Sequence, residues 1–273
     1  MGLSRENEEQ LAVSLSARTT ELLPFLPYLL QDFWELGSDP DVMARMIDRH
    51  VNTPGSARIL DLACGKGAVS VKVAQKLGVT MKGIDLMPEF IEYATQKARE
   101  FHVDDLCEFQ VADINEAVKT HRGYDAVIFG AAGMGVLGGP SQALEKLKAT
   151  IKPGGLILIE EGYIPDDRSR EDIRSNADAY LPLGHWIELF RQANLELVET
   201  ASGHSEGDLD GDAGMSAIAA RAGELTEMHP DKIAIFEGYV SDQRDEYADL
   251  GDALACVTWV LRKSLDASIQ TVL

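Results

Sequence analysis

The sequence predicts an α/β protein built on a doubly wound, mostly parallel sheet with helices on both faces. Three observations carry that expectation. Between residues 57 and 160, short apolar runs alternate with segments of helical spacing. The connections are short, and parallel neighbours need crossover helices of one hand, which cover both faces of the sheet. A glycine-bearing turn, Asp61-Leu-Ala-Cys-Gly-Lys-Gly67, closes the first apolar run and opens the next helix. The length of 273 residues suits one large domain with a modest cap, since a chain of this size buries about 70–75% of its extended surface.

The elements follow in order. Residues 11–51 read as helical, with Ser14 through Leu30 interrupted by Pro24 and Pro27. A second helix covers Asp41 to Val51, with Val42, Met46 and Ile47 as its apolar stripe, and Asn52-Thr-Pro-Gly55 ends it. Residues 1–54 are thus expected to form an N-terminal helical cap, and 55–273 the main domain. Ala57 to Leu62 reads as a buried strand, Ala68 to Leu77 as a helix, and Val79 to Ile84 as the second strand. Pro88 opens a helix that runs to about His102. Leu106–Ala112, Tyr124–Phe129 and Leu156–Glu160 are the third, fourth and fifth strands, with a helix at Gln142–Thr150 stopped by Lys152-Pro-Gly-Gly155. Leu183–Ala193 is a helix, Leu195–Ala201 the sixth strand and Leu254–Arg262 the seventh. Between the last two strands lies an insertion, 203–252, with a glycine and acid loop at 203–214 and helical segments at 217–228 and 232–247.

Charge narrows the partners. The chain carries 45 acidic and 25 basic residues, a formal charge of −20. No run of Lys and Arg offers a phosphate-binding face, which argues against nucleic acid as a direct partner and favours a small molecule. The same charge opposes attraction to anionic membranes. Half of the excess sits in 203–252, which holds 13 acidic and 3 basic side chains. Cys64, Cys107 and Cys256 stand far apart, which excludes a disulfide scaffold and a cysteine-rich zinc site. The polar start is not a signal peptide, and Glu6 does not match the hydroxyl wanted after a myristoylated Gly2. The longest uncharged stretch, 126–144, is broken by five glycines and Pro140, so no membrane span is expected. A cytoplasmic protein is the expectation. A homo-oligomer, if one forms, would use the cap or the insertion.

Three constellations carry chemistry. In Asp61–Gly67, two glycines let the backbone approach a ligand closely, and the following helix offers unpaired N–H groups and a positive dipole end. Alone, Gly-x-Gly is also an ordinary strand-to-helix turn. Asp85 ends the second strand, where a carboxylate can accept ribose hydroxyls. Asp113-Ile114 follows the third strand, where the carboxylate would accept an adenine amine and Ile114 would cover the ring. Taken singly, each aspartate is equally a helix N-cap. Together, three carboxylates at the ends of three successive strands share one edge of the sheet. A nicotinamide dinucleotide fits less well. Its third glycine would fall at Ser70, and Asp61 would set a negative charge near the pyrophosphate.

These residues resemble the class I S-adenosylmethionine-dependent methyltransferases of the small-molecule type. The resemblance rests on Ile59–Gly67, Gly83-Ile-Asp-Leu86, Val111-Ala-Asp-Ile114, Tyr124–Phe129 and Ile151–Leu156, in that order, and covers about residues 56–202. It implies a seven-stranded sheet of order 3-2-1-4-5-7-6 with the last strand antiparallel. It implies S-adenosyl-L-methionine as cofactor. Asp61, Ala63, Gly65 and Gly67 would surround its methionine portion, Asp85 and Leu86 its ribose, and Asp113 and Ile114 its adenine. Phe129 and Gly130 would border cofactor and acceptor. Lys66, where a small residue is common, would favour the cofactor carboxylate or face water. The apolar stretch Gly130–Leu137 lacks the Asn/Asp-Pro-Pro-Tyr-like signature common in DNA and protein-amide enzymes of the superfamily.

On the acceptor side the candidates are Glu161, Tyr163, His185 and Trp186. Tyr28, Phe33 and Trp34 would line an apolar lid or fill an ordinary cap core. No catalytic side chain is assigned, because in-line methyl transfer draws its rate from proximity and needs a base only for a protonated acceptor. No metal is expected. Asp208-Leu-Asp-Gly-Asp212 starts like a calcium loop, but Ala213 and Ala219 stand where Gly and Glu are required. The expected activity is methyl transfer to a small molecule. The alternatives are a nicotinamide-dependent oxidoreductase and a non-catalytic nucleoside-binding module.

Overall fold

A computed structural model describes residues 5–202 and 212–265. The glycine and acid loop expected at 203–214 falls largely outside these residues, as does most of the calcium-loop-like stretch.

The strands are β1 (Arg58–Leu62), β2 (Thr80–Asp85), β3 (Cys107–Val111), β4 (Tyr124–Gly130), β5 (Ile151–Ile164), β6 (Leu181–Pro182), β7 (Leu195–Ser202) and β8 (Ala255–Lys263). They form one sheet in the order β3-β2-β1-β4-β5-β8-β7, with β6 attached to β5 off that path. β8 runs antiparallel to both β5 and β7, and the five strands β1 to β5 are mutually parallel. This is the order expected of the seven main strands. The two-residue β6 is an addition, pairing Tyr163 with Leu181.

Helices α3 (Pro40–His50), α4 (Ala68–Leu77) and α5 (Pro88–Glu100) belong to one face. Met43, Met46, Ile47, Val71 and Ala74 pack there on Ile59, Ile128 and Leu158. Helices α6 (Ile114–Thr120), α7 (Pro140–Thr150) and α8 (Leu183–Gln192) cover the other. Leu144, Leu147, Trp186 and Phe190 pack there on Val127, Phe129 and Trp259. Successive strand residues serve opposite faces, as the pleat requires. β5 is much longer than expected, because Lys152-Pro-Gly-Gly155 lies within the strand, with Gly154 at φ +75.

The remaining helices are α1 (Arg5–Ser14), α2 (Leu26–Leu29), α9 (Asp212–Met228) and α10 (Ile233–Asp252). The helix expected from Ser14 to Leu30 is broken. A 3-10 turn over Thr20–Phe25 carries Pro24, the Glu21 N–H bonds Thr19 Oγ1 at 3.3 Å, and Pro27 sits in the first turn of α2. The cap is also divided in its packing. Its α3 belongs to the sheet, since Met43, Met46 and Ile47 form an apolar face against it. Leu22, Leu26, Leu29, Leu30 and Phe33 instead share a separate core with Ile218, Leu225, Phe236 and Tyr239 of the insertion. Ion pairs seal that seam. Arg221 joins Asp32 at 2.7 Å and Lys232 joins Glu21 at 3.0 Å. Cap and insertion therefore form one lid, whose core is seated on Met87 and Phe90 at the start of α5. No helix among the described residues is long and apolar enough to cross a membrane.

Candidate active site

The C-terminal ends of β1, β2 and β4 meet where the sheet reverses its strand order, which is where open α/β sheets bind ligands. A small cavity of about 50 Å³ lies there, lined by Asp61, Ala63 and Gly65 from the β1 side and Ile128, Gly130 and Ala131 from the β4 side. Trp34, Leu36 and Ser38 of the lid close it.

Local backbone builds the β1 turn. Ala63 has φ +56, Gly65 +52 and Gly67 +74, three left-handed residues in five positions. Gly67 starts α4 and accepts the Val71 N–H at 2.9 Å. A Cβ on Gly67 would lie 2.6 Å from Ala94 Cβ and 3.1 Å from the Phe109 ring. Its side-chain hydrogen is therefore a condition of packing α4 against α5 and β3. Gly130 has a different reason, since a Cβ there would sit 2.0 Å from Ser38 Oγ in the lid. Ala131, at φ +50, is a second left-handed alanine on the cavity wall. Non-glycine residues in this region cost about 1–3 kcal/mol and concentrate at functional sites.

Asp61 is 3% exposed and accepts the Ser70 hydroxyl at 2.6 Å. Among the described residues no Lys, Arg or His forms an ion pair with it. Burial, with the nearby Asp85 adding to it, pushes its carboxyl up to about 7. Asp85 is buried too, and accepts the N–H of Gly65 at 2.8 Å and of Met87 at 2.9 Å. It thereby fixes the glycine turn to the end of β2. A carboxylate offers about four acceptor sites, so capacity remains for further donors. Burial raises its pKa, opposed by those N–H donors.

Asp113 caps α6, accepting the Asn115 N–H at 2.7 Å. The Ala112 N–H bonds the Asp85 carbonyl at 2.9 Å, so the β3 end lies beside the β2 end. The three aspartates share one sheet edge, and Asp61 alone of them lines the cavity. Ile114 is 6% exposed and sits in the core, and Leu86 is half-buried beside Asp85.

Several expected residues are placed otherwise. Phe129, expected to border cofactor and acceptor, is 1% exposed and packs on the opposite face from the cavity. Its neighbours Ile128 and Gly130 line the cavity instead, because strand residues alternate. Trp186 lies in the core against Trp259, ring centroids 5.2 Å apart, and His185 is exposed on α8. Neither lines the cavity. Tyr163 is half-buried against Trp259. Glu161 accepts N–H groups of Gly162 and Met134, which places its carboxyl against the β4–α7 loop that carries Ala131. Burial pushes it up to about 7, with Glu246 of α10 contributing. Lys66 is among the residues lining the cavity, and it does not face water. It is 4% exposed, and Nζ donates to the carbonyls of Leu30 and Phe33, each at 2.5 Å.

The lid residues Leu36 and Ser38 carry no motif, and sequence reasoning missed them. Gly37-Ser38-Asp39-Pro40 is the signal that marks them, a turn after an aromatic pair. No group of acidic, His or Cys residues suited to a metal occurs among the described residues.

Comparison with known proteins decides the family. A methyltransferase domain model matches residues 55–217. The chain belongs to that methyltransferase domain family. The domain is 31% identical over 159 residues to YjhP, an uncharacterized protein of Escherichia coli K12, covering 56% of this chain and 63% of that one. It is 32% identical over 110 residues to YqeM, a putative methyltransferase of Bacillus subtilis 168, covering 39% and 43%. The chain spans 43–63% of the length of the curated relatives it matches. A crystal structure of a Geobacter sulfurreducens SAM-dependent methyltransferase in complex with S-adenosyl-L-homocysteine superposes on the domain with TM-score 0.68 at 20% identity. It covers 87% of this chain and 97% of that one. The structure of YjhP gives 0.67 at 21% identity, covering 93% and 98%. These superpositions establish the fold of the methyltransferase domain.

Proposed function

We propose that the protein transfers a methyl group from S-adenosylmethionine to a nucleophilic atom of a small molecule. The observation that carries this reading is Asp61, a buried carboxylate on the cavity wall that no described cation neutralises. A ligand ammonium beside it would supply the missing charge, whereas a pyrophosphate would meet Asp61 and Asp85 as like charges. The donor set thus fits S-adenosylmethionine and opposes a dinucleotide. Family membership supports the same reading.

In this reading Asp61 and the backbone around Ala63, Gly65 and Gly67 hold the methionine portion. Asp85, with Leu86 beside it, takes the ribose hydroxyls through its remaining acceptor sites. Asp113 and Ile114 lie at the adenine end. Gly130 leaves room at the centre of the cleft. The cofactor supplies an activated methyl on sulfur. The chain's own part is to fix that group and the acceptor in line and to exclude water. Glu161, held against the β4–α7 loop rather than on the cavity wall, is the acceptor-side base of this reading, and it takes the proton of a hydroxyl or amine acceptor. Tyr163, two residues on along β5 and packed on Trp259, shapes the acceptor wall.

The net charge of −20 favours a small acceptor over nucleic acid. Three free cysteines suit the reducing cytoplasm. Titration calorimetry with S-adenosylmethionine, S-adenosylhomocysteine and NAD tests the cofactor, with binding of the first two and none of NAD expected. Binding of NAD alone refutes the reading. A screen of phenols, amines, carboxylates and thiols for S-adenosylhomocysteine release then separates an enzyme from a nucleoside-binding module.

A further inference from the structure

We infer that Lys66 is a positioning residue, a clasp that couples the lid to the cofactor turn and sets the rate at which the nucleoside cofactor leaves. This rests on the cofactor reading above. Lys66 occupies the middle of Gly65-Lys66-Gly67, so its backbone belongs to the turn while its side chain leaves it. Its ammonium runs into the lid and ends on the carbonyls of Leu30 and Phe33 at 2.5 Å each. The lid answers with Trp34, whose Nε1 donates to the Lys66 carbonyl at 3.0 Å. The attachment is reciprocal, side chain to backbone in both directions.

Its surroundings make it tight. Lys66 is 4% exposed, and Nζ stands 5.0 Å from the Tyr93 ring centroid and 5.8 Å from that of Phe90. Two carbonyls and two ring faces replace water around the charge; burial still pulls the ammonium down to about 8, opposed by nearby Asp32. A charge-assisted bond of this kind is stronger than a neutral one. Trp34 is held in turn by the ammonium groups of Lys72 and Lys97, 5.0 and 5.2 Å from its ring.

The clasp lies directly before the segment that closes the cavity. Leu36 stands against Gly65, Ser38 against Gly130 and Gly37 against Ala131. That segment spans from the β1 turn to the β4 turn and leaves about 50 Å³ between them. Leu36, Gly37 and Ser38 thus stand over the turns that the cofactor would occupy, and on the cofactor reading they move aside as it enters and return to cover it. Lys66 joins the two bodies that separate.

Lys66→Met keeps the length and the apolar stem and removes both donors. Lys66→Arg keeps a cation with donors for both carbonyls. With wild-type binding of S-adenosylhomocysteine first established by calorimetry, stopped-flow displacement measures its release, and the part of the tryptophan emission that Trp34→Phe removes reports the lid. Lys66→Met is expected to release S-adenosylhomocysteine at least 10-fold faster with altered Trp34 emission, and Lys66→Arg to stay within 3-fold of wild type. A folded Lys66→Met with unchanged release overturns the inference, as does equal acceleration in both variants. If Lys66→Met does not fold, Trp34→Phe removes the return bond alone, and a release rate unchanged from wild type overturns the inference. If the wild type binds no S-adenosylhomocysteine, the cofactor reading fails instead.

Discussion

Asp61→Asn should make the ligand-free protein more stable at pH 8 and less able to bind its cofactor. The wild-type carboxyl is raised from 3.8 to about 7 in the folded state, chiefly by burial. Between those values the folded chain holds a proton that the unfolded chain has lost. Stability therefore falls as pH rises from about 4 to 7 and is level above. At about 1.4 kcal/mol per pH unit, the ionised carboxylate costs the fold about 4 kcal/mol at pH 8. Asparagine removes that cost. It still accepts the Ser70 hydroxyl, but brings a buried amide donor that costs about 1–2 kcal/mol if unpaired. The net expectation is a gain of about 2–3 kcal/mol at pH 8 and, because the wild type has already lost about 1 kcal/mol by pH 4.5, a change there between zero and a loss of about 1 kcal/mol. Urea unfolding at both pH values measures this. Over the same range, affinity for S-adenosylhomocysteine should drop at least 10-fold at pH 8, because the ammonium loses its counter-charge. A variant less stable than wild type at pH 8, or a stability difference that ignores pH, would refute the reasoning.

Other perturbations isolate other parts. Gly67→Ala meets Ala94 and Phe109 and forces a left-handed alanine. It should cost about 3 kcal/mol in denaturant unfolding from strain and overpacking together; a loss under about 1 kcal/mol would show that Ala94 and Phe109 yield. Glu161→Gln should lower kcat about 100-fold on a hydroxyl or amine acceptor, leave S-adenosylhomocysteine affinity intact, and abolish the rise of kcat with pH toward about 7. An unaltered pH profile would remove Glu161 from the reaction. Asp249→Ala strips the acceptor of the Arg174 and Ser175 N–H groups, which lie 2.8–3.0 Å from a carboxylate that is fully buried. A loss of about 2–3 kcal/mol and faster proteolytic cleavage within residues 165–180 are expected, and wild-type resistance to cleavage would contradict that anchoring.

The central strands were legible as short, mostly apolar runs, as Ile59–Leu62 and Val127–Phe129 show. Asp61, Gly65 and Gly130 were legible as cavity residues because strand ends and tight turns carry a local signature. Phe129 was misplaced because being next to a site in sequence puts a strand residue on the opposite face. Trp186 and His185 misled for a related reason, since a polar or aromatic residue on a helix has no preferred direction until the helix packs. Lys66 was misread because its partners are carbonyl oxygens more than thirty residues away. Backbone acceptors leave no trace in residue identity. The lid core was invisible for the same reason of distance, although each of its helices was partly foreseen.

That lid core has a consequence for how the chain is made. Its two halves are separated by nearly the whole sheet domain, as the bond from Tyr28 to Glu224 shows. On the ribosome, Leu22, Leu26, Leu29 and Phe33 emerge early and wait for Phe236 and Tyr239 about two hundred residues later. At about 5–20 residues per second, that wait lasts on the order of ten seconds or more. Closing so long a loop adds little to the equilibrium cost, because that cost grows only logarithmically. It delays the event in time. Strands β1 to β5 can thus pair while their mouth is still uncovered, whereas β8, which follows α10 and joins β5 to β7, completes the sheet only after the lid core has its last residues.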